Sequence, residues 1–149
     1  MFTGLKKLFE RADTTASQID PAEAAAALMF EVAWADHDVA ATELTLLLEL
    51  LQHQFAIDAT RAEQIYRIIR DEQDANVGLF PFTRALNEQL SADDKFAVVC
   101  ALWQIALADA ELSAFEEHTI RRIADLLYVP HSRFIEAKLI ARRGAAAGT

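Results

Sequence analysis

Carboxylates recur at matching positions in two segments that lie 73 residues apart. Residues 35–43 read ADHDVAATE and residues 108–116 read ADAELSAFE, so Asp36, Asp38 and Glu43 in the first answer Asp109, Glu111 and Glu116 in the second. Each set stands between two apolar stretches with helical spacing. Oxygens from the end of one helix and the start of the next can clasp a hard divalent cation, calcium or magnesium. The spacing is not that of an EF-hand, which needs a twelve-residue loop with a central glycine, so water, backbone carbonyls or the other junction must complete the six to eight oxygens that calcium takes. Three carboxylates in one volume repel one another, and a bound cation relieves that repulsion.

A metal-free reading competes with this one. Acidic side chains in a helix's first turn are stabilised by about 0.3–1 kcal/mol each through the helix dipole. For Glu116, three positions after Ser113, a capping box suffices as the explanation. Glu43 fits it less well, because Ala40 stands at the matching cap position and offers no side-chain acceptor. Asp36 and Asp109 fall near helix C-termini, where negative charge is unfavourable, so each calls for a turn or a cation. His37 is a secondary contributor to the first junction or an exposed turn residue.

Other chemistry is sparse. His37, His53, His118 and His131 show no zinc-ligand spacing with one another or with Cys100, and there is no nucleophile elbow, phosphate-cradling glycine loop or Cys–His pair. No enzymatic activity is expected. Trp34 and Trp103 fall on apolar helix faces and read as core. Arg121 and Arg122 follow the second junction, where nearby acids, solvent or a partner can take them up.

The elements that must position the carboxylates are helices. Gly and Pro together number seven in 149 residues while hydrophobic residues make up 53%, and no stretch alternates as a strand does. Asp20, Pro21 and Glu23 start a helix to about residue 36. A second spans about 41–56 with Leu44, Leu47, Leu48, Leu51 and Phe55 on one face. Asp58 caps a third to about residue 74. A break at residues 76–78 precedes a shorter helix from Phe80 to about Leu90. Ser91 with Asp94 opens a fifth, Ser113 a sixth, and residues 130–132 a seventh that ends near Arg142. The acidic repeat extends into these helices, with Val32 answering Ile105, Ala33 Ala106, Leu47 Ile120, Leu50 Ile123 and Phe55 Tyr128. The expected architecture is all-α, a single compact domain of about seven helices with two pseudo-symmetric helix pairs.

Ahead of it, Phe2, Leu5, Leu8 and Phe9 recur at helical spacing around Lys6 and Lys7. Residues 1–20 thus form a short amphipathic helix and linker, residues 21–142 the helical domain, and residues 143–149 a disordered tail. The short helix docks on its own domain or a neighbour, with peripheral membrane contact through residues 2–9 as the alternative.

Charge narrows the partners. The net charge is −9, and between residues 12 and 60 there are nine acidic side chains and no Lys or Arg. Nucleic acid is therefore excluded as a partner of this half, and cations or a basic protein surface suit it. Cys100 is the one cysteine, set in an apolar run that predicts a buried, inert thiol. No signal peptide opens the chain, and fully apolar runs such as residues 24–30 are far short of a membrane span. A cytoplasmic protein is expected.

With these junctions on about seven helices, the chain resembles the TerB-like family, named for tellurite resistance TerB and including the N-terminal region of the DjlA co-chaperones. The resemblance covers about residues 22–142 and is carried by the pattern A-D-x-[DE]-[VL]-x-x-x-E. It implies an all-helical domain with an acidic, divalent-cation-binding surface, associated with tellurite and other stress responses and with membrane-associated complexes. Family members often have glycine after the first aspartate, where this chain has His37 and Ala110. No His-Pro-Asp tripeptide occurs, so chaperone recruitment through a J-domain is absent. The resulting expectation is a noncatalytic, stress-associated binding module with an unidentified protein partner. Its rival is a metal-free structural adaptor.

Overall fold

The computed structural model describes residues 19–34, 41–71, 78–108 and 114–147, with side chains described as far as residue 144. Seven α-helices and no strand occur among them: α1 (Pro21–Ala33), α2 (Ala41–Phe55), α3 (Ala59–Asp71), α4 (Phe80–Gln89), α5 (Ala92–Ala106), α6 (Ala114–Leu126) and α7 (His131–Ala147). The amphipathic segment 2–9 and its linker lie outside the described residues. The α7 helix runs on through residues 143 and 144, where the sequence pattern places a tail, to Ala147.

Local chemistry starts the helices where the sequence predicts. The Asp20 side chain accepts from the Ala22 amide at 3.3 Å with Pro21 in the first turn. Asp58 accepts from the Arg61 amide at 2.8 Å, and Ser91 from the Asp94 amide at 3.1 Å. Each satisfies an amide that the helix itself leaves unbonded. Gly78, with φ of +75°, turns the chain toward α4.

The core forms around two central helices. In α1 the stretch from Ala22 to Phe30 is buried on every side, because its small alanines let α2, α3, α4, α5 and α6 all approach it. The second centre, α5, is covered by α1, α2, α6 and α7 and buries Val98, Val99, Leu102, Trp103 and Ile105.

The repeat is real in the packing and longer than a helix pair. Val32 and Ile105, Ala33 and Ala106, and Leu47 and Ile120 are all buried, as the 73-residue spacing requires. Further along, the equivalence slips by one residue. Both α2 and α6 end on a left-handed residue, Ala56 (φ 52°) and Tyr128 (φ 59°), followed by matching bonds from the Ile57 amide to the Gln52 carbonyl and from the Val129 amide to the Ala124 carbonyl. These are Schellman caps, and they pair Tyr128 with Ala56 rather than with Phe55. Likewise Leu50 is half-buried, while Leu51 fills the position that Ile123 fills in α6. At the new spacing of 72 residues the third helices match as well: α3 buries Ala62, Ile65 and Ile69, and α7 buries Phe134, Ala137 and Ala141. The molecule is thus two three-helix units joined by α4.

Candidate functional site

Contacts among described residues fix which ends of the helices lie together. Arg61 at the start of α3 donates to Glu23 at the start of α1 at 2.8 Å, and the Tyr66 ring lies 6.0 Å from Phe30, so α3 runs alongside α1 in the same sense. The short turn 56–58 then makes α2 antiparallel to both. Gln54, near the end of α2, donates to the Ala97 carbonyl in the first half of α5 at 2.8 Å, which sets α5 antiparallel to α2. Independently, Asn87 donates to the Leu126 carbonyl at 2.9 Å and Gln89 to the Ile19 carbonyl at 2.7 Å. The last turns of α4 and α6 therefore stand beside the start of α1.

Both chains of contact lead to the same arrangement. The C-terminal ends of α1 and α5 and the N-terminal ends of α2 and α6 share one end of the bundle, and these four ends flank the two acidic junctions. Of the six candidate ligands, Glu43 and Glu116 are described, one in the first turn of α2 and the other in the first turn of α6. Asp36, Asp38, Asp109 and Glu111 lie outside the described residues, as do His37 and the cap positions Ala40 and Ser113.

Glu43 is 2% exposed and Glu116 1% exposed, unusual values for carboxylates. Neither is without a partner. Each sits where the positive end of its helix dipole favours negative charge, while the carbonyl ends of α1 and α5 bring partial negative charge to the same end. Neither α1 nor α5 carries a basic residue in its last turn to offset it. Hard oxygen donors beside helix carbonyl ends suit a hard cation. Among the described residues no group of three or more His, Cys, Asp or Glu side chains gathers as a metal cluster.

Other candidates resolve differently from one another. Trp103 is fully buried, 5.2 Å from the Phe134 ring with the Lys138 ammonium 5.1 Å from its own, and Trp34 stacks on Phe30 at 6.1 Å. Both therefore belong to the core or its edge. Cys100 is half-buried rather than buried; burial pushes its thiol pKa up, opposed by nearby Arg133, so it is a protonated thiol and a poor nucleophile. His131 stacks on Phe134 at 5.7 Å. Arg121 lies over the Phe134 ring at 5.7 Å. Burial raises the Glu31 pKa from the ordinary carboxylate range, and Arg122 partly lowers it again. The opposite holds for Glu117, whose hydrogen bond from Lys138 at 2.8 Å holds its pKa down.

Sequence patterning does not single out three exposed aromatics, Phe80 (63%), Phe115 (68%) and Tyr128 (78%). The available signal was their position at helix ends: Phe80 and Phe115 fall in first turns, and Tyr128 follows α6 with no glycine to take the left-handed cap.

Compared with known families, residues 22–139 match the family described as tellurite resistance protein TerB. No curated protein and no solved structure matches the chain.

Proposed function

The chain belongs to the tellurite resistance protein TerB family, and from that premise we propose that it is a noncatalytic, stress-associated binding module that takes up a divalent cation at its acidic end. One observation carries this reading: four helix ends meet at one end of the bundle and bring two buried carboxylates, Glu43 and Glu116, without a basic residue in the last turn of either incoming helix. Glu43 and Glu116 would supply hard oxygen donors, and the sequence pattern adds Asp36, Asp38, Asp109 and Glu111. Calcium or magnesium would neutralise these carboxylates and brace the two hairpins against each other. No helix among the described residues is long and apolar enough to cross a membrane. A reducing cytoplasm suits the single protonated thiol of Cys100.

Linkage gives the test. A site specific to the folded state raises the melting temperature with cation concentration, by about 2.7 kcal/mol of added stability at a hundredfold excess over Kd. Glu43→Gln and Glu116→Gln should each blunt that rise, and terbium in place of calcium should luminesce on excitation of nearby Trp34. A melting temperature indifferent to calcium and magnesium, with no heat of binding, would refute cation uptake.

The second reading is a metal-free adaptor for another protein, favoured by Phe115. It sits 68% exposed beside buried Glu116 in the first turn of α6, and an exposed aromatic on an acidic end suits a basic, apolar partner.

A further inference from the structure

At the opposite end of the bundle, α4 and α6 leave a half-open pocket of about 270 Å³ between them. Phe80 and Tyr128 stand exposed at its walls, and Arg84, Asn87, Glu88 and Asp125 line the rest. We propose that residues 2–9 of this same chain dock there as a helix, setting Phe2, Leu5, Leu8 and Phe9 against Phe80 and Tyr128.

Three observations select this occupant. The first is position: the described chain begins at Ile19, whose carbonyl is held by Gln89 at 2.7 Å, directly after the pocket residues Asn87 and Glu88. The second is reach. Residues 10–18 span up to about 30 Å when extended, whereas the whole of α4 is about 15 Å long, so every part of the pocket is accessible and the tether keeps the segment at an effective concentration in the millimolar range. The third is complementarity. Exposed Phe80 and Tyr128 offer apolar walls to the stripe of Phe2, Leu5, Leu8 and Phe9. At the rim Arg84 is engaged with Glu88 at 3.4 Å and Lys95 with Asn87 at 3.1 Å, which leaves the Asp125 carboxylate to receive Lys6 or Lys7 on the polar side of the segment.

Tyr128 adds a reason to look here. It holds a left-handed backbone conformation that glycine adopts freely and that a large side chain resists. The Lys95 ammonium lies over its ring, 5.8 Å from the centroid. An aromatic at that position is accounted for when it forms a wall for the docked segment.

Hydrogen exchange of the full chain tests the proposal. In a helix over 2–9 only the amides of residues 6–9 are hydrogen-bonded within it, and these should exchange at least about tenfold more slowly than in a free peptide of residues 1–18. Protection should be the same at low and high protein concentration and without vesicles. Leu5→Asp with Leu8→Asp, and separately Phe80→Ser with Tyr128→Gly, should each abolish it while exchange in α1 and α5 stays slow. The second pair is chosen because both side chains are exposed and glycine suits the backbone at 128. Unprotected amides in the native chain, or protection untouched by the pocket variants, would overturn the proposal. Protection that grows with protein concentration would assign the pocket to a second copy, and protection only on anionic vesicles would assign the segment to a membrane surface; either also overturns it.

Discussion

The unit formed by α1, α2 and α3 and the unit formed by α5, α6 and α7 solve one packing problem with the large and small residues exchanged. In the first, α3 presents Ala62, Ile65 and Ile69 to the core; in the second, α7 presents Phe134, Ala137 and Ala141 at the same three positions. The central helices compensate. Phe30 of α1 meets an aromatic, Tyr66, where its counterpart Trp103 of α5 meets Phe134 and the ammonium of Lys138. Large and small side chains thus trade places between the two interfaces, an exchange that dense packing permits and pairwise similarity hides.

The largest test of that exchange is in the second unit. Phe134→Ala removes a ring that is 2% exposed and packed on Trp103, and should cost about 3–5 kcal/mol in urea unfolding. Ala62→Phe at the matching position should cost about 1–3 kcal/mol by overpacking. Combined with Ile65→Ala, which gives those two positions of α3 the size order of Phe134 and Ala137, the loss should fall below the sum of the single losses, because neighbouring changes of opposite size couple. Strict additivity would mean that the two interfaces are not alternative solutions of one geometry.

A smaller effect separates the two helix caps. Ala56 and Tyr128 are equivalent left-handed residues, and glycine at either relieves the same backbone conflict. Ala56→Gly should therefore stabilise by about 0.5–1 kcal/mol. Tyr128→Gly should gain less, since it also gives up the ring beside Lys95 and the proposed contact with residues 2–9. Equal gains at both would show that the tyrosine ring contributes nothing to stability.

These comparisons also show what could be read from the chain. Helix number, the starts at Asp20, Asp58 and Ser91, and the pairing of Leu47 with Ile120 were legible because caps and apolar spacing are local signals. The third helix of each unit was not recognised as part of the repeat, since Ala62 opposite Phe134 and Ile65 opposite Ala137 look unrelated until burial aligns them. The slip from 73 to 72 residues was hidden too: α6 has one residue fewer between Glu116 and its cap than α2 has after Glu43, and only backbone dihedrals reveal it. For the acidic junctions, the sequence identified Glu43 and Glu116 as first-turn carboxylates but not their depth, because burial depends on how four helix ends from distant segments pack.

The smallest effects concern two glutamates with opposite titration behaviour. Glu117 is hydrogen-bonded by Lys138, which lowers its pKa in the folded state. Its contribution is therefore present above the unfolded value and lost as pH falls through the folded one. With 37% of the Glu117 side chain exposed, Glu117→Gln should cost about 0.2–1 kcal/mol at pH 7 and nothing in strong acid. Glu31 behaves in reverse, because its raised pKa means that the folded state holds the proton more tightly. Wild-type stability relative to Glu31→Gln should therefore fall as pH rises past the unfolded value. The variant should melt higher than wild type at pH 7, by a margin that solvent screening of this exposed residue keeps small, and no higher in strong acid. Gln104 already stands at the matching position of the second unit, so the substitution makes the first unit more like the second at a point where desolvation, and not Arg122, governs the carboxyl. If Glu31→Gln instead lowers stability at pH 7, attraction to Arg122 outweighs desolvation, and the glutamate is a cross-unit tie that the second unit lacks.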